Sequence, residues 1–121
     1  MVTKPPIEEL LTRMAKQLGA EPKPMQLLAK VMPDAVYDHA RMRQFVDACP
    51  AIPQKYKLLM FVAIAAALGS SYCTETYTQL ALNNGATKEE VAEALVVARF
   101  VNASTVWATA LTAMEKLAAA K

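Results

Sequence analysis

An unbroken apolar stretch constrains the fold more than any other part of the chain. It covers the eleven residues from Leu58 to Leu68, with the sequence LLMFVAIAAAL. A membrane-spanning helix needs about 20 apolar residues, so this stretch is predicted to be a buried helix of the protein instead. Because it is apolar on all sides, we expect it to be covered all round, either at the centre of the domain or in a subunit interface.

The rest of the chain also indicates helices. Apolar residues recur at helical spacing from Ile7 to Leu18, and Gly19 follows where a C-terminal glycine is favoured. Prolines can open a short helix ending at Val31 and a longer one over residues 34–48, in which Val36 and Phe45 are expected on one side. The chain contains only 3 glycines and no sustained alternation of apolar and polar residues. The sequence therefore predicts a single all-α domain over residues 1–121, a bundle of six or seven helices.

The C-terminal third contains the clearest helix start. Thr87 and Glu90 have the spacing of a capping box, and the helix that they begin is expected to end near Val101. A last helix is predicted from about Ser104, with an apolar stripe that includes Trp107. Before them, a helix is predicted from Tyr72 to about Asn84, and a serine of the Gly69-Ser70-Ser71 segment is expected to cap it.

Charge and cysteine content exclude several classes of function. The 13 Lys and Arg residues nearly balance the 11 Asp and Glu residues, without blocks of like charge, so we expect no nucleic-acid partner. No apolar segment follows Lys4, which argues against a signal peptide, and no membrane partner is expected. Cys49 and Cys73 are too few for a disulfide framework and favour a reducing cytoplasm. With His39 they cannot complete a zinc site alone, so no metal or cofactor is predicted.

Cys73 is the residue whose position is chemically suggestive. It falls in the first turn of its predicted helix, where unpaired N–H groups stabilise negative charge and make thiols more reactive. The alternative is a buried cysteine that acts as a small apolar side chain. Tyr77 lies four residues on, on the same helical face. Its hydroxyl can donate a hydrogen bond to a thiolate, or it is simply the polar end of a tyrosine at the edge of the core.

Residues 55–119 resemble the carboxymuconolactone decarboxylase family, including its alkylhydroperoxidase (AhpD-like) branch. The segments KYKLLMFVAIAAALG and SSYCTETYTQLALNNGATKEEVAEALVVARFV carry the resemblance. It implies an all-α fold and a homo-oligomer, a trimer or a hexamer. The peroxidase-like branch has a C-x-x-C pair, a histidine four residues after it and a glutamate twelve residues before it. Here Ser70 and Cys73 stand at the cysteine positions, Tyr77 at the histidine and Leu58 at the glutamate.

Three functions are compatible with these residues. The first, which we adopt, is an AhpD-like thiol oxidoreductase of the peroxidase type, with Cys73 as nucleophile and Ser70 and Tyr77 as hydrogen-bond donors. Because Ser70 cannot resolve an oxidised cysteine, this oxidoreductase needs an external thiol reductant. The second is a lyase acting on a small carboxylated lactone held by a cationic anchor, for which the candidates are Lys55, Lys57, Arg41, Arg43 and Arg99. The third is a non-catalytic oligomeric relative that has lost its site.

Overall fold

The computed structural model describes residues 4–121, and within them it contains α-helices and no strand. The seven helices are α1 (Ile7–Leu18), α2 (Lys23–Val31), α3 (Pro33–Ala48), α4 (Gln54–Ala67), α5 (Ser71–Asn83), α6 (Lys88–Thr109) and α7 (Leu111–Ala119). The predicted all-α class with six or seven helices is confirmed.

Local capping signals place several of these boundaries where the sequence predicts them. Gly19 ends α1 with a φ of 70°, in the left-handed region that glycine adopts without strain. At the start of α6, the backbone N–H of Glu90 donates to Thr87 Oγ1 over 3.0 Å, and the backbone N–H of Thr87 donates to Glu90 Oε1 over 2.9 Å. This reciprocal pair is the predicted capping box.

Helix α4 lies at the centre of the fold and packs against α5 and α6. Its Leu58 and Val62 form a buried cluster with Leu80 of α5 and Val91 of α6. The domain itself does not cover α4 on every side, so the first of the two expected positions is wrong and the subunit interface stays a prediction. Met60 and Ile64 of α4 and its C-cap residue Leu68 are exposed and lie along one face, a set that we call the α4 stripe.

Helix α3 also departs from its predicted packing. Val36 is fully buried, but Phe45, expected on the same side, is 73% exposed. The two residues are nine positions apart, which is two and a half turns of a helix with 3.6 residues per turn. The extra half turn places Val36 and Phe45 on opposite sides of α3. Phe45 therefore turns away from the neighbouring helices.

Helix α6 is longer than predicted. It continues through the expected break at residues 101–104 and ends at Thr109. The helix is not interrupted because residues 100–109 contain no glycine or proline, and Thr105 Oγ1 donates within the helix to the carbonyl of Asn102 over 2.6 Å. By length and composition, α6 is the one helix among the described residues that could cross a membrane, although a soluble protein's core helix passes the same test. From Arg99 onwards, α6 and α7 are almost entirely exposed. We call residues 99–119 the C-terminal arm.

Candidate functional site

The candidate site is built at the start of α5, where the chain turns sharply after α4. Gly69 makes that turn with a φ of 80°. Ser70 then adopts an extended conformation as the N-cap, and its Oγ atom accepts a hydrogen bond from the backbone N–H of Cys73 over 3.3 Å. The predicted capping serine is therefore Ser70. The hydroxyl oxygen of Ser70 thus accepts a hydrogen bond from the helix backbone, and this bond holds Cys73 at a defined position.

Cys73 is the third residue of α5, in the first turn as predicted, and its side chain is partly exposed. Among residues 4–121, no side-chain hydrogen bond involves its Sγ atom, and both cysteines are free thiols. The first turn of a helix leaves N–H groups unpaired, and their partial positive charge stabilises an anion. Cys73 is thus a partly exposed free thiol in the first turn of α5.

Tyr77 lies one turn after Cys73 and connects the site to the core. Its ring packs against the buried cluster and meets Phe61 at a centroid distance of 5.1 Å and an interplanar angle of 60°. Burial raises the pKa of the Tyr77 hydroxyl, and negative charge on Cys73 raises it further, while the charge of Arg43 opposes both. Tyr77 therefore stays protonated at neutral pH, as a hydrogen-bond donor and not as a base.

A polar cluster beside this face brings together residues that sequence reasoning did not combine. Arg43 Nε of α3 donates to both carboxylate oxygens of Asp47 at 3.0 Å, and Gln54 Nε2 of α4 donates to Asp47 Oδ1 over 2.9 Å. The Arg43 guanidinium also lies 5.1 Å from the centre of the Phe61 ring. The i, i+4 spacing of Arg43 and Asp47 is visible in the sequence, but their meeting with α4 depends on helix packing.

This cluster borders a small cavity of about 220 Å³. Its lining consists of Gln17, Arg43, Asp47, Gln54, Leu58, Leu80 and Asn84. Leu58, which stands where the resemblance has a glutamate, is 1% exposed and belongs to the core. The carboxylate in the lining of this cavity is that of Asp47, which belongs to α3 and not to α4.

The other cationic candidates have structural or surface contacts. Lys57 is buried, and its Nζ atom donates to the carbonyls of Val46, over 2.7 Å, and Cys49, at the end of α3. Lys55 pairs with Glu90 over 2.9 Å. Arg41 pairs with Asp38, and Arg99 is exposed. Of the five candidates, only Arg43 lines the cavity.

The remaining chemically interesting residues lie away from the α5 face. His39 is exposed on α3, and Cys49 is exposed at the C-cap of α3, where its Sγ atom donates to the carbonyl of Phe45 over 3.2 Å. Within the described part of the chain, no three His, Cys, Asp or Glu residues are grouped as metal ligands. The structure therefore brings Ser70, Cys73 and Tyr77 together and leaves His39 and Cys49 outside the group.

Comparison with known proteins gives a match at the level of the family. The model of the carboxymuconolactone decarboxylase family matches residues 33–116, more than half of the chain. The match includes all of α3 to α6, and so both Cys73 and the cluster around Arg43. A search of curated proteins found no significant match.

Proposed function

Because the chain belongs to the carboxymuconolactone decarboxylase family, we propose that it acts as a thiol oxidoreductase of the AhpD-like, peroxidase type, with Cys73 as its nucleophile. The observation that carries this proposal is the place of Cys73. It is a partly exposed free thiol in the first turn of α5, with its backbone held by Ser70 and a protonated tyrosine one turn away. Helix N-termini stabilise the thiolate, which is the reactive form.

The first chemical step is reduction of a peroxide by Cys73. The thiolate attacks one peroxide oxygen, the O–O bond breaks, and the sulfur is oxidised to a sulfenic acid while the peroxide is reduced to an alcohol or to water. The leaving oxygen takes up a proton from water, which balances the proton that the thiol lost when it ionised. Tyr77 is suited to donate a hydrogen bond to that oxygen, because burial raises the pKa of its hydroxyl and keeps it protonated. Ser70 acts through the backbone of Cys73, so its role is to position the nucleophile.

The second step requires a thiol from outside the chain. Ser70 occupies the place from which a second cysteine would attack the sulfenic acid. Cys49 follows α3 and Cys73 begins α5, so the two lie towards opposite ends of α4, whose 14 residues span about 21 Å. A small external thiol attacks the sulfenic acid, forms a mixed disulfide and releases water. A second thiol then restores Cys73 and leaves as the oxidised disulfide. Such thiols are abundant in a reducing cytoplasm, where we place the protein.

The test is peroxide consumption by the full chain in the presence of a monothiol. We expect turnover above that of the monothiol alone, loss of turnover in Cys73→Ser, and retention in the matched Cys49→Ser variant. Mass spectrometry after one equivalent of peroxide should find the sulfenic acid on Cys73. Turnover no faster than the monothiol alone, or turnover that survives Cys73→Ser, would contradict the proposal, and the first result would favour a family member without catalytic activity.

A second candidate function rests on the cavity beside Arg43. Arg43 is the cationic candidate that lines it, together with the amide side chains of Gln17, Gln54 and Asn84. Guanidinium and amide groups bind carboxylates well, and here Arg43 and Gln54 already bind the carboxylate of Asp47, which also lines the cavity. A lyase for a small carboxylated lactone would therefore exchange Asp47 for the carboxylate of its substrate. A panel of lactones and small dicarboxylates should then raise the melting temperature of the wild type and of Arg41→Met, but not of Arg43→Met. Arg41 is the control because it is exposed and pairs only with Asp38. If no compound raises the melting temperature, this candidate fails.

A further inference from the structure

Arg43 is the most covered arginine among the ion pairs within residues 4–121. Its side chain is 25% exposed, whereas those of Arg13 and Arg41, in the other two arginine–carboxylate pairs, are 57% and 78% exposed. The peroxidase function proposed for Cys73 does not use Arg43. A charged group that is withdrawn from water needs polar contacts within the protein that compensate for the lost hydration.

Asp47 supplies these contacts and fixes the direction of the Arg43 side chain. The Arg43 Nε donates to both carboxylate oxygens of Asp47 at 3.0 Å, and Gln54 Nε2, at the start of α4, donates to Asp47 Oδ1 over 2.9 Å. Charge-assisted hydrogen bonds are stronger than neutral ones, and here the acceptor is also bound to a second helix. The carboxylate therefore links α3 with α4 and leaves the guanidinium little freedom to rotate.

The guanidinium that Asp47 fixes lies against an aromatic pair. Its Cζ atom is 5.1 Å from the centre of the Phe61 ring, and a cation is attracted to a ring within about 6 Å of its centre. The Phe61 ring in turn lies 5.1 Å from the Tyr77 ring at an interplanar angle of 60°, close to the tilted geometry that aromatic pairs prefer. Contacts thus run without a gap from Arg43 through Phe61 to Tyr77, a set that we call the Arg43–Tyr77 series.

The Tyr77 hydroxyl depends on this series for its position. The hydroxyls of Tyr37 and Tyr72 each donate to a backbone carbonyl. In the part of the chain that the structure describes, the Tyr77 hydroxyl has no such acceptor, and the Tyr77 ring is held by its packing on Phe61 and the buried cluster. A change in the position of the Phe61 ring is therefore passed directly to the hydroxyl one turn after Cys73.

Charge connects the two ends of the series as well. Burial raises the pKa of the Tyr77 hydroxyl, negative charge on Cys73 raises it further, the positive charge of Arg43 lowers it, and Tyr72 raises it. Arg43 therefore lies close enough to act on the hydroxyl by its charge and not only through packing.

We propose that Arg43 is a positioning residue for the Cys73 site. It holds the Phe61 ring against Tyr77 and so keeps the Tyr77 hydroxyl where it donates to the leaving oxygen of the peroxide. This inference rests on the function proposed above for Cys73. Arg43 acts through Phe61 and makes no bond to the peroxide. An arginine suits this role because a planar guanidinium can bind a carboxylate at its edge and lie on an aromatic face at the same time.

The first measurement follows the Tyr77 ring by nuclear magnetic resonance without peroxide, so it does not depend on the function proposed for Cys73. Proteins with isotopically labelled tyrosine are compared as wild type, Arg43→Met and Arg13→Met, and Tyr77→Phe identifies the Tyr77 signals. In Arg43→Met, these signals should lose the shift that the Phe61 ring induces, and the hydroxyl should ionise at a higher pH, because its pKa is no longer lowered by the charge of Arg43. Arg13→Met is the matched control, since Arg13 makes the same i, i+4 pair on the exposed side of α1.

Two further variants separate charge from packing and protect the test against misfolding. Arg43→Lys keeps the charge but not the planar group, so it should lose the ring shift and retain most of the effect on ionisation. If Arg43→Met lacks helical circular dichroism, Asp47→Asn, which only loosens Arg43, takes its place and should weaken the ring shift. Tyr77 ring signals that are the same as in the wild type in the folded variant would overturn the proposal.

The second measurement is the rate at which peroxide oxidises Cys73, followed by mass spectrometry. The wild type, Arg43→Met, Tyr77→Phe and the double variant form a cycle. Arg43→Met should slow the oxidation at most to the rate of Tyr77→Phe, and should slow it no further once the hydroxyl is absent. Equal slowing in both backgrounds would mean a general structural role and would overturn the proposal. A wild type that does not react with peroxide, but whose Tyr77 signals respond to Arg43→Met, would refute the function proposed for Cys73 and not the hold of Arg43 on Tyr77.

Discussion

The two cysteines allow a comparison, within one protein, between the start of one helix and the end of another. Cys73 is in the first turn of α5, and Cys49 is the C-cap of α3. The partial positive charge at a helix N-terminus stabilises a thiolate, and the partial negative charge at a C-terminus destabilises it, by about 0.3–1 kcal/mol each. The two effects together amount to about 0.6–2 kcal/mol. At 1.36 kcal/mol per tenfold change, an effect of this size on reactivity corresponds to a factor of about 3 to 30 in favour of Cys73 in the rate comparison described next.

The assay is the rate of alkylation by iodoacetamide in the two single-cysteine variants, Cys49→Ser and Cys73→Ser. Each rate is measured at about pH 7 and again at alkaline pH, where a free thiol with a pKa of about 8.5 is ionised. The quotient of neutral and alkaline rates cancels differences in accessibility and intrinsic nucleophilicity. This matters because Cys49 is exposed and Cys73 only partly so. A quotient for Cys73 equal to or below that of Cys49 would refute the argument that the start of α5 activates this sulfur.

Three further predictions concern stability. Thr87→Ala removes half of the capping box and should lower the free energy of unfolding in urea by about 1 kcal/mol, whereas Thr76→Ala in the middle of α5 should have little effect. Lys57→Met leaves two carbonyls at the end of α3 without their donor, at a cost of about 1–3 kcal/mol in the same measurement; an unchanged midpoint would mean that water replaces the donor. The hydrogen bond from Lys55 lowers the pKa of Glu90 from 4.5, and the same bond raises the pKa of Lys55 from 10.5. The stabilisation is therefore present between these two values and is lost as pH falls through the lowered pKa of Glu90 or rises through the raised pKa of Lys55. The melting temperatures of the wild type and Lys55→Met should accordingly differ most near neutral pH and converge in acid and in strong base, and a difference that is constant with pH would contradict this.

The sequence predicts the helical class and most boundaries because these depend on interactions within four residues. Gly19 ends α1 through its own backbone, and Thr87 and Glu90 close their capping box across one turn. The same reasoning is wrong at the end of α6, where no breaker separates Val101 from Ser104 and the helix continues. A helix persists until a residue or a contact stops it, and the weak polarity of residues 102–105 does neither.

The features of the candidate site also divide into those that the sequence predicts and those that depend on helix packing. The position of Cys73 in the first turn of α5 and the cap from Ser70 follow from the order of residues along the chain. The packing of Tyr77 on Phe61, the approach of Arg43 and Gln54 to Asp47, and the burial of Lys57 depend on how α3, α4 and α5 cross. The exposure of the α4 stripe and the C-terminal arm is of this second kind. The hydropathy of both segments indicates that burial of their apolar side chains is favourable. It does not indicate whether the residues that bury them belong to the same chain, because the hydrophobic effect is not directional.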